Sequence, residues 1–111
     1  MSVAILEDYR INAKREFNVA AHVKFQNKEK GYAVLSVRVG KDAEGNWKYR
    51  DHFASAASFK GIDFQNLQDG TAVFFNIDKT SERTFGNHHA ANVRIMSEED
   101  KARYFPENTP F

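Results

Sequence analysis

The chain has 111 residues, 28% of them charged and 41% hydrophobic, and a formal net charge of +1. This length favours one domain with a modest core, and the small net charge excludes a polybasic coat protein. The absence of cysteine excludes disulfides and thiolate metal sites, and no apolar run approaches the ~18 residues of a membrane span. Acidic Glu7 and Asp8 stand where a signal peptide would be apolar, so a cytoplasmic protein is expected.

The first predicted element is a short amphipathic helix within residues 2–17, SVAILEDYRINAKREF. Neither Gly nor Pro interrupts this segment, and its apolar residues recur at roughly helical spacing: Leu6, Tyr9, Ala13 and Phe17. A strand or an ordered arm is the alternative. We take residues 1–16 as an N-terminal extension.

From Phe17 the hydrophobic period changes to two, which predicts strands. A first strand runs through Val23 to Phe25 and ends in a turn at 27–31. The second strand has a predicted core face made of Ala33, Leu35, Val37 and Val39. Its other, semi-polar face consists of Tyr32, Val34, Ser36 and Arg38. Residues 41–46 form a polar hairpin loop, and the third strand covers about 47–53, with Arg50 and His52 on its outer face.

Residues 54–70 are predicted to be a connection with turns at Gly61 and Gly70. A fourth strand follows at 72–77, with a core face of Val73, Phe75 and Ile77. Phe74 lies on its outer face, where we expect the N-terminal segment to cover it. A polar loop then carries Phe85, which either anchors the loop or adds a stacking ring, and we favour the anchor. The fifth strand presents Ala91, Val93 and Ile95 inward.

The last segment, 97–111, is an acidic tail with 4 acids and 2 bases. Ser97 followed by three acids is typical of a helix start, and Pro106 ends any helix. The preceding residues, 17–96, hold 11 bases and 8 acids and so favour, weakly, a polyanionic partner. Five short strands in about 80 residues predict a small closed sheet, because closure removes exposed edges.

Four motifs in this region resemble the cold-shock domain family. HVKFQNKEKGYAVL (22–35) is similar to the family's first hairpin, K-W-F-N-x-E-K-G-F-G-F-I, and DHFASA (51–56) is similar to its V-H-F-S-A motif. FQNLQDGTAVFFNI (64–77) and HAANV (89–93) match two later motifs in the same order. The resemblance covers about residues 17–96.

The resemblance implies a five-stranded antiparallel Greek-key barrel of the oligonucleotide/oligosaccharide-binding type. The short terminal extensions exceed the family pattern, and we expect them to be helical. It also implies an RNA chaperone or a transcription or translation regulator that binds single-stranded RNA or DNA. The bases would stack on an aromatic and basic face. The residues that it implies for this face are Lys24, Phe25, Lys30, Tyr32, Val34, Arg50, His52, Phe53 and Phe64.

The sequence departs from the family at several of these positions. The family's second ring in the first motif is Val34 here, and the ring that precedes the histidine of the second motif is Arg50. Gln26 replaces a Phe, and Asp51 stands where the family has an inward Val, unless a bulge turns it outward. Because each stacked base contributes about 1–3 kcal/mol, the loss of two rings should weaken binding or change its preference.

No pattern in the sequence predicts an enzyme, a cofactor or a metal site. Adjacent residues of a strand point to opposite faces, so His88 and His89 make a poor chelate. The alternative to nucleic-acid binding is a barrel that has exchanged its rings for a protein surface, with a protein partner bound through the terminal extensions. The lost rings and the extra termini favour this alternative. The residues that the chain shares with the family favour nucleic-acid binding: Lys24, Phe25, Lys30, Tyr32, His52 and Phe53.

Overall fold

A computed structural model describes residues 15–106, and their strands form one large antiparallel sheet and one small hairpin. The strands, in chain order, are β1 (Arg15–Asn27), β2 (Tyr32–Lys41), β3 (Trp47–Ser55), β4 (Ala72–Asp78), β5 (Arg83–Thr84), β6 (Asn87–His88) and β7 (Ala90–Ile95). A single α-helix of the described residues, α1 (Glu98–Tyr104), follows β7, and two turns of 3₁₀ helix lie between β3 and β4, at Ala56–Ser58 and Phe64–Asn66.

The predicted N-terminal helix lies mostly outside the described residues. Its last three residues, Arg15 to Phe17, belong to β1, so a helix that extends through Phe17 is wrong. Pairing explains the difference: Arg15 lies opposite Asp78 at the far end of β4, and the backbone there forms a sheet ladder. The sequence pattern of 2–17 carries no information about that partner.

The large sheet has the strand order β3-β2-β1-β4-β7, and every pair of neighbours is antiparallel. The predicted five-stranded antiparallel sheet is therefore confirmed. The predicted closure of this sheet into a barrel is not confirmed, because within residues 15–106 no ladder joins β3 to β7. Near this gap the connection after β3 makes one isolated bridge, from Phe59 to Val93, and Lys60 N–H donates to the Val93 carbonyl at 3.0 Å.

The hydrophobic core lies on the inner face of this sheet. The predicted inward residues of β2 and β4 are buried there, with the exception of Val39: Ala33, Leu35 and Val37, and Val73, Phe75 and Ile77. Two rings from the connection close the core, since Phe59 and Phe64 are buried and their centroids lie 5.2 Å apart, edge to face. The Asp63 carboxylate caps the short helix that carries Phe64 by accepting from Gln65 N–H.

Two irregularities overturn predictions based on a strict period of two. The register of β2 and β3 shifts between Arg38 and Gly40, and Val39 is exposed instead of buried. In β7, Asn92 adopts a positive φ of 50°, and the register against β4 shifts at this point. As a result Ala90 and Val93 are buried, whereas Ile95 is 53% exposed. A bulge of this kind inserts one residue and exchanges the faces beyond it.

The faces of β3 are the reverse of the prediction. His52 pairs with the core residue Leu35, and cross-strand partners share a face, so His52 points inward. It is 2% exposed and its ring lies 5.3 Å from that of Phe75. Asp51 pairs with Ser36 on the outer face without any bulge in β3. This regular pairing explains why a carboxylate occupies a position where an inward Val was expected.

The predicted C-terminal helix is confirmed. The Ser97 hydroxyl accepts from Asp100 N–H at 3.1 Å, and the helix ends at Tyr104, before Pro106. Beyond the helix, Phe105 is buried in a second, smaller apolar cluster with Ala72 and Met96. Phe74, on the outer face of β4, packs edge to face on Tyr104 at 5.2 Å, so this ring is covered by the C-terminal helix. The helices within residues 15–106 lack the length and the apolar character needed to cross a membrane.

Candidate nucleic-acid interface

The outer face of β1–β3 is shaped by a bulge and a tight turn. The register of β1 against β2 shifts between Val23 and Phe25, and Phe25 then pairs with Val34. The turn that follows is closed by two bonds to Asn27: its carbonyl accepts from Gly31 N–H at 2.8 Å, and its Oδ1 accepts from Lys30 N–H at 2.9 Å. Gly31 has a φ of 74°, which glycine adopts without steric cost. This geometry brings Phe25 close to Tyr32.

Four rings follow one another across this face, and we call them the aromatic strip: Phe25, Tyr32, Phe53 and His89. The centroids of Phe25 and Tyr32 are 6.3 Å apart, edge to face. Tyr32 and Phe53 are stacked at 5.1 Å with 26° between their planes, and Phe53 lies 4.8 Å from His89. These separations are those of interacting ring pairs. Phe25 is 40% exposed and the other three rings are partly exposed.

Val34 lies between two rings of the aromatic strip. It pairs with Phe25 on one side and with Phe53 on the other, and it is only 1% exposed. Tyr32, two residues earlier on the same face, stacks on Phe53. Val34 therefore supports the rings from beneath, and we leave it out of the exposed surface.

The strip continues into a polar cluster that neutralises its own charge. Lys24 Nζ lies 2.9 Å from Asp51 Oδ2, and the Ser36 hydroxyl donates to Asp51 Oδ1 at 2.5 Å. Asp51 thus ties β1 and β2 to β3 on the outer face. These three residues and Tyr49 line a shallow pocket of about 420 Å³. Lys24, which the resemblance places on the binding face, therefore forms an ion pair with a carboxylate of the same face.

Three other predicted site residues lie away from this face. Arg50 donates its Nε–H to His52 Nε2 at 2.9 Å on the inward side of β3, so neither side chain belongs to the strip. Phe64 is buried in the core. Lys30, by contrast, is exposed on the turn beside Tyr32. Of the nine predicted residues, the structure brings Lys24, Phe25, Tyr32 and Phe53 together, with Lys30 at the edge.

One residue that sequence reasoning did not assign to the site, His89, lies beside it. A hydrogen bond of 2.7 Å joins His89 Nε2 to the Thr84 hydroxyl. The His89 ring extends the strip beyond Phe53. Phe85 is 59% exposed at the tip of the β5–β6 hairpin, so its predicted role as a loop anchor is wrong. The signal for this tip was the Phe85-Gly86 pair, in which both residues have positive φ, as a two-residue type I′ turn requires.

Two side-chain hydrogen bonds fix the small hairpin to β3, and one of them joins His52 Nδ1 to the His88 carbonyl at 2.7 Å. Asn87 Nδ2 donates to the Asp51 carbonyl at 2.9 Å and, at 3.3 Å, to the Phe85 carbonyl. His88 and His89 make separate contacts, since His88 Nδ1–H donates to the Ser81 carbonyl at 2.9 Å. No group of three or more metal-ligating side chains occurs within residues 15–106.

Comparison with known proteins adds no assignment. No protein-family model matches the sequence, and no curated protein matches it either. The resemblance to the cold-shock domain family therefore stays a prediction, carried by the four motifs alone.

Proposed function

We propose that the aromatic strip binds single-stranded RNA or DNA by base stacking. The observation that supports this proposal is the unbroken run of rings from Phe25 through Tyr32 and Phe53 to His89. An aromatic ring that stacks on a base contributes about 1–3 kcal/mol, and every base offers a ring face. A strip of this kind binds single strands with little sequence preference. Duplex bases are already stacked and paired, and they are not available to it.

Charge has a small part in the proposed binding. Lys24 is paired with Asp51, and Lys30 is exposed on the turn that leads into Tyr32. Few counterions are released when so few cations meet phosphates, so the dependence of affinity on salt should be shallow, equivalent to about two to four phosphates. Affinity that rests on stacking persists at salt concentrations that dissociate a many-contact basic protein.

The strand arrangement supports a divergent cold-shock-like barrel. Strands β1, β2 and β3 form consecutive hairpins, β4 returns beside β1, and β7 lies beyond β4. In a barrel of the proposed type, β3 and β7 would meet. The Phe59–Val93 bridge lies at this junction. In this proposal the protein keeps RNA or single-stranded DNA unfolded, as an RNA chaperone or a regulator of transcription or translation would.

The experiment that tests the proposal is a titration with labelled oligonucleotides. Single strands of dT, of rU and of mixed sequence, and a duplex of the mixed sequence, are titrated at two salt concentrations. We expect single strands to bind more tightly than the duplex at both concentrations. Equal affinity for single strand and duplex, or no binding at low salt, would contradict the proposal.

A second candidate is a protein-interaction surface, favoured by one observation. The end of the β2–β3 hairpin exposes three large apolar side chains: Val39, Trp47 and Tyr49. Exposed apolar groups that lie together mark interaction sites. Absence of nucleic-acid binding in the titration would move this candidate to first place.

A further inference from the structure

A second concavity lies on the side of β3 opposite the aromatic strip and has a strongly basic lining. Its volume is about 250 Å³, and its walls come from the inward side of β3, the end of β4 and the β5–β6 hairpin. Three cationic side chains line it, Arg50, Lys79 and Arg83, together with His52 and His88. None of the described residues that line it is acidic. We call it the basic pocket.

Two arginines of the basic pocket are held by histidines in the same manner. Arg50 Nε–H donates to His52 Nε2 at 2.9 Å, and His52 Nδ1–H donates to the His88 carbonyl at 2.7 Å. Arg83 Nε–H donates to His88 Nε2 at 3.4 Å, and His88 Nδ1–H donates to the Ser81 carbonyl at 2.9 Å. A ring nitrogen that accepts a hydrogen bond has no hydrogen of its own, so in this arrangement each imidazole donates through Nδ1 and accepts through Nε2.

The consequence is a pair of oriented guanidinium groups. Each arginine uses its Nε–H on a histidine, and within residues 15–106 neither makes an ion pair with a carboxylate or a further hydrogen bond through its Nη groups. Arginine differs from lysine in that its planar fork binds two oxygens of one anion at once. A fork whose rotation is already restricted loses less entropy when it binds.

We infer that the basic pocket binds a phosphate group. Phosphate offers several strong acceptor oxygens and a negative charge that matches the two oriented guanidinium groups. The pocket volume is several times the ~30 Å³ of one liquid water, which leaves room for a five-atom group. Phosphate can come from two sources, the terminal monoester of a nucleotide or strand and the backbone diester. The inference is independent of stacking on the aromatic strip.

The first test uses inorganic phosphate alone with the full chain. Amide signals of Arg83, Asn87 and His88 are followed by ¹H–¹⁵N spectroscopy at constant ionic strength maintained with chloride. We expect saturable shifts, and R83Q should weaken the affinity at least tenfold, on the order of the loss of one charged hydrogen bond. R50K keeps the charge but loses the fork, and it should also weaken binding. Arg83 is exposed, so its replacement spares the core.

The matched control is R103Q, which removes the same charge from an exposed position of α1. Its affinity for phosphate should equal that of the parent. The absence of saturable shifts, or an equal loss in R103Q and R83Q, would overturn the inference, because the effect would then be one of net charge.

The second test separates the two sources of phosphate. Single strands with a 5′-phosphate and with a 5′-hydroxyl are titrated against the parent and R83Q. A terminal-phosphate site predicts a loss for the phosphorylated strand alone, and a backbone site predicts equal losses for both. Tyr32→Ala should leave inorganic phosphate binding unchanged. If the stacking proposal fails, Tyr32→Ala binds single strands as tightly as the parent does. If the pocket inference fails, inorganic phosphate causes no saturable amide shifts.

Discussion

The two ends of the outer face carry aromatic rings, but only one end is covered. At the β1–β4 end, His22 and Phe105 lie with their centroids 4.0 Å apart, and Phe74 packs on Tyr104 of α1. At the β1–β3 end, Phe25, Tyr32 and Phe53 pack mainly on one another. The same residue types form a small core at one end and a surface at the other.

The neighbours of the rings explain this difference. Around Phe105 the outer face has small residues, Ala20 and Ala72, which leave a depression that the C-terminal segment fills. At the other end Val34 is flanked by Phe25 and Phe53, which fill the space above it themselves. A face that is already filled by its own rings leaves their remaining surfaces open to a ligand. Such a surface suits a ligand that stacks on the rings. It is less suited to a helix that inserts a side chain.

The largest expected effect concerns the covered end. Phe105→Ala removes a buried ring from the second cluster and should lower the free energy of unfolding by about 3–5 kcal/mol. Urea denaturation followed by circular dichroism measures it. The matched control is Phe25→Ala at the open end, where a 40% exposed ring should matter by less than about 1 kcal/mol. Equal losses in the two variants would contradict the comparison.

The open end should show the opposite sensitivity. Tyr32→Ala should weaken single-strand binding by about 1–3 kcal/mol at all salt concentrations, because stacking is not screened by ions. Tyr32→Phe keeps the ring and serves as the control, and its affinity should match that of the parent. Fluorescence titration of labelled oligonucleotides at two salt concentrations is the measurement. If the alanine variant binds like the parent, the strip is not the binding surface.

A smaller loss of stability is expected when α1, which covers the β1–β4 end, loses its N-cap while every ring is kept. Ser97→Ala deletes the hydroxyl that accepts from Asp100 N–H at the start of α1 and should destabilise the protein by about 1 kcal/mol. Ser97→Asp keeps a capping acceptor and should behave like the parent. Thermal unfolding compares the three proteins. An unchanged midpoint in Ser97→Ala would show that α1 does not unfold together with the sheet.

The smallest effect concerns the charge balance of the open end. Asp51→Asn retains an oxygen that accepts from Ser36 but leaves Lys24 without its carboxylate. Single-strand binding should become tighter by about 0.5 kcal/mol at low salt, the size of a surface ion-pair effect, and the salt slope should rise by about one phosphate. Lys48→Gln, on the exposed part of β3, is a control for net charge. Tightening that persists at high salt would argue against an electrostatic cause.

The sequence by itself determined the elements whose causes are local. The alternation of Val73, Phe75 and Ile77 predicts the buried face of β4, because the side-chain period of a strand is two. Ser97 predicts the start of α1, because a cap acts on amides within its own turn. The Asn27–Gly31 turn is equally local, and it correctly predicts that Phe25 and Tyr32 lie together.

Only the tertiary structure decided the features that depend on distant partners. A bulge at Asn92 exposes Ile95, and the pairing of His52 with Leu35 turns Arg50 inward, which no period of two reveals. The C-terminal segment covers one end of the outer face because Ala20 and Ala72 leave room for Phe105. Spacing along the chain fixes which side chains share a face. Strand register and the packing of distant segments fix which face is buried.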